Sequence, residues 1–185
     1  ERLEDPQIYR LSVLDPFMPV LDEIREAALA LGAAAETASA EFGPGQFEIN
    51  LGHTPDALGA TDQAILLKHA IRGVARRHGM EACFMAKPYG EESGSGLHYH
   101  ISLLDRDGRN IFAGDDPTAL NTPLSGAVAR LKDTMAEATL VFAPHLNSFR
   151  RLAPGTYAPI VSACGVFLWV WALRFPALTV PSSRV

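Results

Sequence analysis

The chain has 185 residues, of which 48% are hydrophobic and 20% charged, a composition that excludes a disordered or fibrous protein. The formal net charge of −5 provides no basic field for nucleic acid or an anionic membrane, so an anionic ligand must be held by local positive groups. The length suits one domain with a substantial core and is too short for two domains of ordinary size.

Cysteine usage and the N-terminal residues predict the cellular setting. Cys83 and Cys164 form no CxxC pair, and the first residues do not resemble a signal peptide. These features predict a reduced, cytoplasmic protein. The apolar stretch 160–173 is shorter than the roughly 18 residues expected of a membrane-spanning helix, so we expect it to be buried within the protein.

Apolar periodicity predicts an alternation of helices and strands. In chain order the predicted elements are a helix at 15–32, a strand at 46–51, a helix at about 61–78, strands at 81–86 and 97–104, a turn at 105–108 and a helix at about 124–142. Asp15 suits an N-cap, Pro16 the first helical position and Gly32 a C-terminal stop. Helices combined with hairpin-like strands favour an α+β domain over a parallel α/β sheet.

The segment His98-Tyr-His-Ile-Ser102 carries the strongest local pattern. On a strand, alternation places His98, His100 and Ser102 on one face. The alternate residues then point into the core, namely Tyr99, Ile101 and Leu103. Neutral imidazoles bind divalent metals and a hydroxyl can meet phosphate, which predicts metal or phosphate chemistry. The alternative is a polar, solvated sheet face.

A second pattern is a pair of glutamates around a Gly-Pro-Gly turn. Glu48 lies on the polar side of the predicted strand, and the turn can fold Glu41 back toward it. Paired carboxylates near a histidine are hard ligands suited to Mg²⁺ or Mn²⁺. The alternative is two exposed glutamates that flank a turn.

Two further segments, the loop 90–96 and the arginine pair at 150–151, are interpreted from the residues next to them. The Gly/Ser loop 90–96 lacks the Gly-Lys-Ser/Thr ending of a P-loop, but it leads directly into His98 and offers backbone amides beside a metal site. Arg150 and Arg151 stand before a Pro/Gly loop and suit carboxylate or phosphate recognition. The alternatives are a flexible connection and ordinary surface arginines.

The order of these motifs resembles the glutamine synthetase family. Glu-turn-Gln-x-Glu, Lys-Pro, Gly-Ser-Gly-Leu-His-x-His-x-Ser and Asn-Ser-Phe-Arg-Arg-Leu-x-Pro-Gly follow one another between about Tyr9 and Pro159. The likeness is greatest to the bacterial branch with Gly-Pro-Gly-Gln-Phe-Glu, many of whose members accept amines other than ammonia. The resemblance implies a catalytic domain with a curved antiparallel sheet and flanking helices, truncated at both ends. On this interpretation residues 1–185 are a single partial catalytic domain, without the family's N-terminal small domain and with a divergent tail from about residue 160.

The resemblance also implies roles for individual residues. Glu41 and Glu48 would hold one of two catalytic Mg²⁺ or Mn²⁺ ions, and His98 would hold the other. His100 and Ser102 would face the ATP phosphates.

Four more residues receive roles in the same way. Glu36 is similar to the family's nucleotide-side glutamate, and Arg174 to an arginine on the phosphate path. Gly94 would receive the substrate glutamate through its backbone, and Arg151 would bind the glutamate carboxylate.

The implied activity is an ATP-dependent ligase that joins glutamate to an amine. A γ-glutamyl phosphate forms first, and the amine then displaces phosphate to give glutamine or a γ-glutamyl amide. Where ammonia-using members have a flap glutamate, this chain has Tyr157, which favours a larger amine such as a polyamine or ethanolamine. The implied partners are glutamate, ATP, ammonia or that amine, and further copies in a homo-oligomeric ring, with no nucleic acid or membrane.

Two departures from the family bear on activity. The earlier paired glutamates and the later Arg-x-Glu-x-Arg segment are missing from the sequence, which would leave His98 as the one ligand for its metal. We therefore predict that the 185-residue chain is inactive alone. One rival interpretation is a non-catalytic relative that keeps the fold as a structural or interaction module. Another is a metal-dependent hydrolase, which does not explain Arg151, the Gly94 loop and the motif order together.

Overall fold

The computed structural model of the protein describes residues 10–114 and 120–153. Its elements are α1 (Leu11–Leu14), a 3₁₀ turn (Asp15–Phe17), α2 (Met18–Ala30), β1 (Ala35–Ala40), β2 (Phe47–Leu51), α3 (Ala57–Arg77), α4 (Thr122–Phe142) and α5 (Leu146–Arg151). They fall into two compact units: one reaches to Phe84 and includes 91–93, and the other comprises 85–90 and the residues from Gly94 onward. Helices with an antiparallel strand pair confirm the predicted α+β class.

The first unit is built around one apolar cluster between α2, α3 and the strand pair. On α2, Leu21, Ile24 and Ala28 are buried, at the three- and four-residue spacing of a helix face. On α3 the buried face includes Leu67 and Val74, and Val74 is fully inaccessible to solvent. Burying a side chain of this size stabilises the fold by about 1.5–3 kcal/mol.

The predicted helix ends are partly right. Gly32 adopts a φ of +88° after α2, which confirms it as the C-terminal stop. Asp15, however, is not an N-cap: helical structure already begins at Leu11, and Asp15 and Pro16 lie inside the 3₁₀ turn that links α1 to α2. Proline is tolerated there because the first residues of a helical turn have no amide partner within the helix.

Side-chain caps extend two helices beyond their predicted starts. The Asp56 carboxylate accepts a hydrogen bond from the Leu58 amide at 3.1 Å, so α3 begins at Ala57 rather than Thr61. The Asn121 side chain accepts from the Leu124 amide at 3.0 Å and starts α4 at Thr122. The capping residues therefore determine where these helices begin. The apolar spacing indicates which face is buried, but it does not indicate the helix end.

The strand pair confirms the strand predicted at 46–51. In the antiparallel register, Ala38 is opposite Ile49, Ser39 is opposite Glu48 and Ala40 is opposite Phe47. The sequence pattern did not indicate β1, because Ala35–Ala40 reads AETASA and contains no large apolar residue to alternate with polar ones.

The strands predicted at 81–86 and 97–104 do not form. In these two segments the described residues form only one isolated β-bridge, from Leu104 to Asn110. Tyr99, Ile101 and Leu103 are 58%, 74% and 48% exposed and do not point into a core. An extended segment becomes a strand only when a neighbour pairs with its backbone groups, and alternation in the sequence does not supply that neighbour.

The second unit contains α4, α5 and a tight turn. The turn predicted at 105–108 is confirmed: the Asp105 carboxylate accepts from the amides of Asp107 at 2.9 Å and Arg109 at 2.8 Å, and Gly108 has a φ of +79°. Within residues 10–114 and 120–153, no helix combines the length and apolar character needed to cross a membrane.

Glu23 links α2 to the end of α3 and predicts a pH-dependent stability. Its carboxylate accepts from Arg77 Nε at 2.8 Å and is hydrogen-bonded to His78 Nε2 at 2.5 Å. The His78 hydrogen bond, followed by that of Arg77, lowers the pKa of Glu23 below its usual 4.5. A lowered carboxylate pKa adds stability above pH 4.5, and that stability is lost as the pH falls through the folded-state value.

We therefore expect Glu23→Gln to lower the thermal midpoint at pH 7, by an amount that shrinks as the pH falls from 4.5 toward 3. Thermal unfolding followed by circular dichroism across this range measures the difference. Glu26→Gln, at an exposed position of the same helix, is the control and is expected to change little at either pH. A Glu23→Gln deficit that is as large at pH 3 as at pH 7 would contradict the assignment.

Candidate functional site

The turn between β1 and β2 is held by its own backbone and one glutamine. The Glu41 amide donates to the Gln46 carbonyl at 2.9 Å, and the Gln46 amide donates to the Gly43 carbonyl at 3.0 Å. The Gln46 side chain accepts from the Gly43 amide at 2.9 Å, and Gly45 has a φ of +72°. These bonds bring Glu41 back to the start of β2.

Glu41 and Glu48 therefore lie on one face of the hairpin. Glu48 is opposite Ser39, and Glu41 follows Ser39 by two residues, which returns its side chain to the same face. Burial, and then the negative charge of Glu48, raise the pKa of Glu41. Two partly shielded carboxylates this close together favour a cation between them, and their oxygens are the ligands that Mg²⁺ and Mn²⁺ prefer.

The carboxylate pair would form only part of a metal shell. In the stretches 10–114 and 120–153, no group of three or more His, Cys, Asp or Glu side chains is arranged to hold a metal. Glu41 and Glu48 fit a hard divalent ion as two of its ligands, and a full shell of about six oxygens requires others.

Glu36 lies at the irregularity in the β1–β2 register, between Ala35 and Thr37. Its carboxylate lies so close to Gly52 that a Cβ added to Gly52 would stand 2.7 Å from Glu36 Oε1. Glu36 also lines a shallow pocket of about 140 Å³ together with Asp22 and Arg25 of α2. That volume is below the roughly 300 Å³ of a ligand-sized pocket, so this concavity does not by itself accommodate a nucleotide.

In the second unit, the structure brings Gly94 and Arg151 together. A Cβ at Gly94 would lie 2.8 Å from Arg151 Cδ and 2.4 Å from the Ala86 carbonyl oxygen. A Cβ at Gly96 would lie 3.0 Å from Arg151 Nη2 and 3.2 Å from His98 Nε2. The two glycines thus give the guanidinium and the imidazole room to lie against the loop backbone.

Arg151 is a half-buried cation beside a glycine-rich backbone. Burial lowers the pKa of its guanidinium, but arginine stays charged at neutral pH. A half-buried guanidinium beside a glycine-rich backbone binds a carboxylate more strongly than a fully solvated one does, because fewer water molecules compete.

The backbone of residues 86 and 87 is hydrogen-bonded both to the glycine-rich loop and to α5. The Ser95 amide donates to the Ala86 carbonyl at 2.9 Å. The Asn147 side chain accepts from the Lys87 amide and donates to the Lys87 carbonyl, each at 2.8 Å. Lys87 itself is 7% exposed, and it is the one buried charged residue among those the structure describes.

The remaining predicted site residues have weaker structural support. His98 and His100 are exposed and Ser102 is half-buried, all in a segment without regular secondary structure. The common strand face predicted for them is therefore absent. Tyr157 and Arg174, like the tail from about residue 160, lie outside the described residues.

Sequence analysis gave Asn147 and Lys87 no role. Asn147 stands two residues after the N-cap of α5, inside the first turn of the helix. Its hydrogen bonds to Lys87, 60 positions away, cannot be predicted from the local sequence. The one available signal was their presence in two motifs that had already been noted, Lys-Pro and Asn-Ser-Phe-Arg-Arg.

Comparison with known proteins places the chain in a family. The family model described as glutamine synthetase, catalytic domain, matches residues 1–185. Gamma-glutamylputrescine synthetase of Escherichia coli strain K12 is 41% identical over 179 residues, which cover 95% of this chain and 37% of the relative. Glutamate–isopropylamine ligase of a Pseudomonas species is 39% identical over 140 residues, covering 75% of this chain and 30% of the relative.

A solved structure agrees with the sequence relatives. GmaS in complex with ADP superimposes with a TM-score of 0.77 and 31% identity over 89% of this chain and 40% of that one. The chain thus spans about a third of the length of the curated relatives it matches, at 37% and 30%. The family model, the relatives and the shared fold agree with the motif order, and the chain therefore belongs to the glutamine synthetase family, within the catalytic domain.

Proposed function

We propose that the chain is part of an ATP-dependent ligase that joins an amine to the side-chain carboxylate of glutamate. The observation that carries the proposal is the contact of Arg151 with the Gly94–Gly96 loop, beside His98. A charged guanidinium beside a glycine-rich backbone suits an amino acid, whose carboxylate it can bind. The relatives named for glutamyl amides support the reaction class.

In the proposed reaction, Arg151 holds the glutamate α-carboxylate and the Gly94 backbone orients the rest of the molecule. The side-chain carboxylate of glutamate attacks the γ-phosphorus of ATP, ADP leaves and γ-glutamyl phosphate forms. The neutral amine then attacks the acyl carbon, phosphate leaves and the amine loses its proton. Positioning and charge neutralisation dominate phosphoryl transfer, and positioning of glutamate is the part that these residues supply.

Two Mg²⁺ or Mn²⁺ ions complete the proposal. When bound, such ions would neutralise charge on the phosphoryl group. Glu41 and Glu48 would hold one of them and His98 the other. The carboxylate pair and its raised Glu41 pKa support the first site. His100, Ser102, Glu36 and Arg174 are proposed to serve the nucleotide, as the family resemblance implies.

We propose a carbon-bearing amine as the acceptor in place of ammonia. The names of relatives that act on putrescine and isopropylamine support this choice, together with the Tyr157 substitution. The whole protein is further proposed to be a cytoplasmic, homo-oligomeric ring in which residues 1–185 form a single partial catalytic domain. The free cysteine Cys83 supports a reducing compartment.

The full-length protein with ATP, Mg²⁺, glutamate and a panel of amines tests the proposal by mass spectrometry of the products. We expect γ-glutamyl alkylamides to form faster than glutamine. Glutamine as the main product would retain the ligase but reject the larger amine. No amide with any amine would reject the ligase and favour a non-catalytic relative. In the same assay the 185-residue chain alone is expected to release no glutamate-dependent phosphate.

A further inference from the structure

We infer that Asn147 is a positioning residue that sets where Arg151 stands against the Gly94 loop, and so controls glutamate affinity. The inference rests on the proposed function and adds to it a residue without predicted contact to any substrate. It begins from the two hydrogen bonds that the Asn147 amide makes to the backbone of Lys87, both 2.8 Å long.

Together the two bonds satisfy both backbone groups of Lys87, as pairing with a neighbouring strand would. Asn147 Oδ1 accepts from the Lys87 amide and Nδ2 donates to the Lys87 carbonyl, so one planar group fixes both position and orientation. Lys87 is buried and Asn147 is half-buried, which limits replacement of these bonds by water. The start of α5 is thereby tied to the segment at 86–87.

The same segment holds the loop. Ala86, the neighbour of Lys87, accepts from the Ser95 amide at 2.9 Å, and Ser95 lies between the two glycines that meet Arg151. Asn147 and Arg151 are four residues apart on α5 and therefore share one face of the helix. The pair of hydrogen bonds between Asn147 and Lys87, which we call the clamp, therefore determines how far the Arg151 guanidinium stands from the Gly94 backbone.

Asn147 is not a local helix cap. The N-cap of α5 is His145, which makes no side-chain capping bond, and the Asn147 amide bonds to Lys87 instead of the α5 backbone. A purely structural asparagine in the same unit is available for comparison. Asn121 caps α4 and donates to the carbonyls of Ile111 at 2.9 Å and Ala113 at 3.0 Å.

Asn147→Asp in the full-length protein tests the inference. The variant keeps the side-chain shape and the acceptor for the Lys87 amide, but it places a second oxygen against the Lys87 carbonyl. We expect the KM for glutamate to rise by about tenfold or more, since a misplacement of ~1 Å can cost up to about a hundredfold. The KM for ATP is expected to stay within about threefold, because the clamp acts on the glutamate side alone.

Asn121→Asp is the matched control, because it also removes amide donors to backbone carbonyls. It is expected to lower the thermal midpoint and leave the KM for glutamate unchanged. Asn147→Ser, which retains a hydroxyl, is expected to raise the KM for glutamate less than Asn147→Asp, and it carries the test if Asn147→Asp does not fold.

Two outcomes would overturn the inference alone. In one, the Asn147 variants raise the KM values for glutamate and ATP equally; in the other, they lose stability with glutamate affinity intact, as Asn121→Asp does. Wild-type protein that binds no glutamate by calorimetry and forms no amide would instead overturn the proposed function, and this inference with it.

Discussion

Replacement of Gly94 by alanine in the full-length protein is expected to lower kcat/KM for glutamate by about a hundredfold or more. The added Cβ would stand 2.4 Å from the Ala86 carbonyl oxygen and 2.8 Å from Arg151 Cδ, both closer than real Cβ contacts allow. Because a backbone carbonyl cannot rotate away as a side-chain end can, the loop must move away from Ala86, and the packing of Arg151 against the loop changes with it. Steady-state kinetics with glutamate as the varied substrate measures the loss.

Gly90→Ala is the control for Gly94→Ala. Gly90 is the first residue of the same loop, and an added Cβ there meets no atom within 4 Å. We expect its kcat/KM for glutamate to match the wild type. Equal losses in the two variants would show that loop stiffness, and not the contact with Arg151, accounts for the Gly94→Ala defect. Full activity of Gly94→Ala would remove the Arg151–loop contact from the proposed glutamate site.

Glu48→Gln in the full-length protein is expected to lower ligase activity by about a hundredfold. It is also expected to abolish the thermal stabilisation of the protein that Mn²⁺ provides by binding at Glu41 and Glu48. The substitution leaves one carboxylate where two would hold the ion. Thermal unfolding with and without Mn²⁺ measures the stabilisation, and Glu26→Gln, at an exposed site on α2, controls for loss of one negative charge. A Mn²⁺-dependent shift that survives intact in Glu48→Gln would contradict the assignment.

The metal-free stability of Glu48→Gln is expected to change in the opposite direction. Burial and the Glu48 charge raise the pKa of Glu41, so ionised Glu41 is disfavoured in the folded protein. A raised carboxylate pKa lowers folding stability as the pH rises from 4.5 through the folded-state value. Removal of the Glu48 charge should therefore leave metal-free protein at least as stable as the wild type at pH 7.

Local features predicted the main helices and the second strand of the hairpin. The apolar spacing of α2, the stop at Gly32 and the alternation in β2 depend on residues within a few positions of one another. The same holds for the turn that returns Glu41 to Glu48, since a Gly-Pro-Gly turn between two strands permits few other paths. Motif order then identified the family, which the family model confirms over residues 1–185.

Tertiary structure decided the remainder. Whether residues 97–104 form a strand depends on a pairing neighbour, and the described residues give that segment only the Leu104–Asn110 bridge. The contact between Arg151 and Gly94 joins residues far apart in the chain, as does the Asn147–Lys87 clamp across 60 positions. The sequence by itself determined the main helices, the strand at 46–51 and the family, because these depend on local spacing or motif order. Strand pairing and the geometry around Arg151 required the folded structure, since hydrogen bonds between distant residues impose no periodicity on the chain.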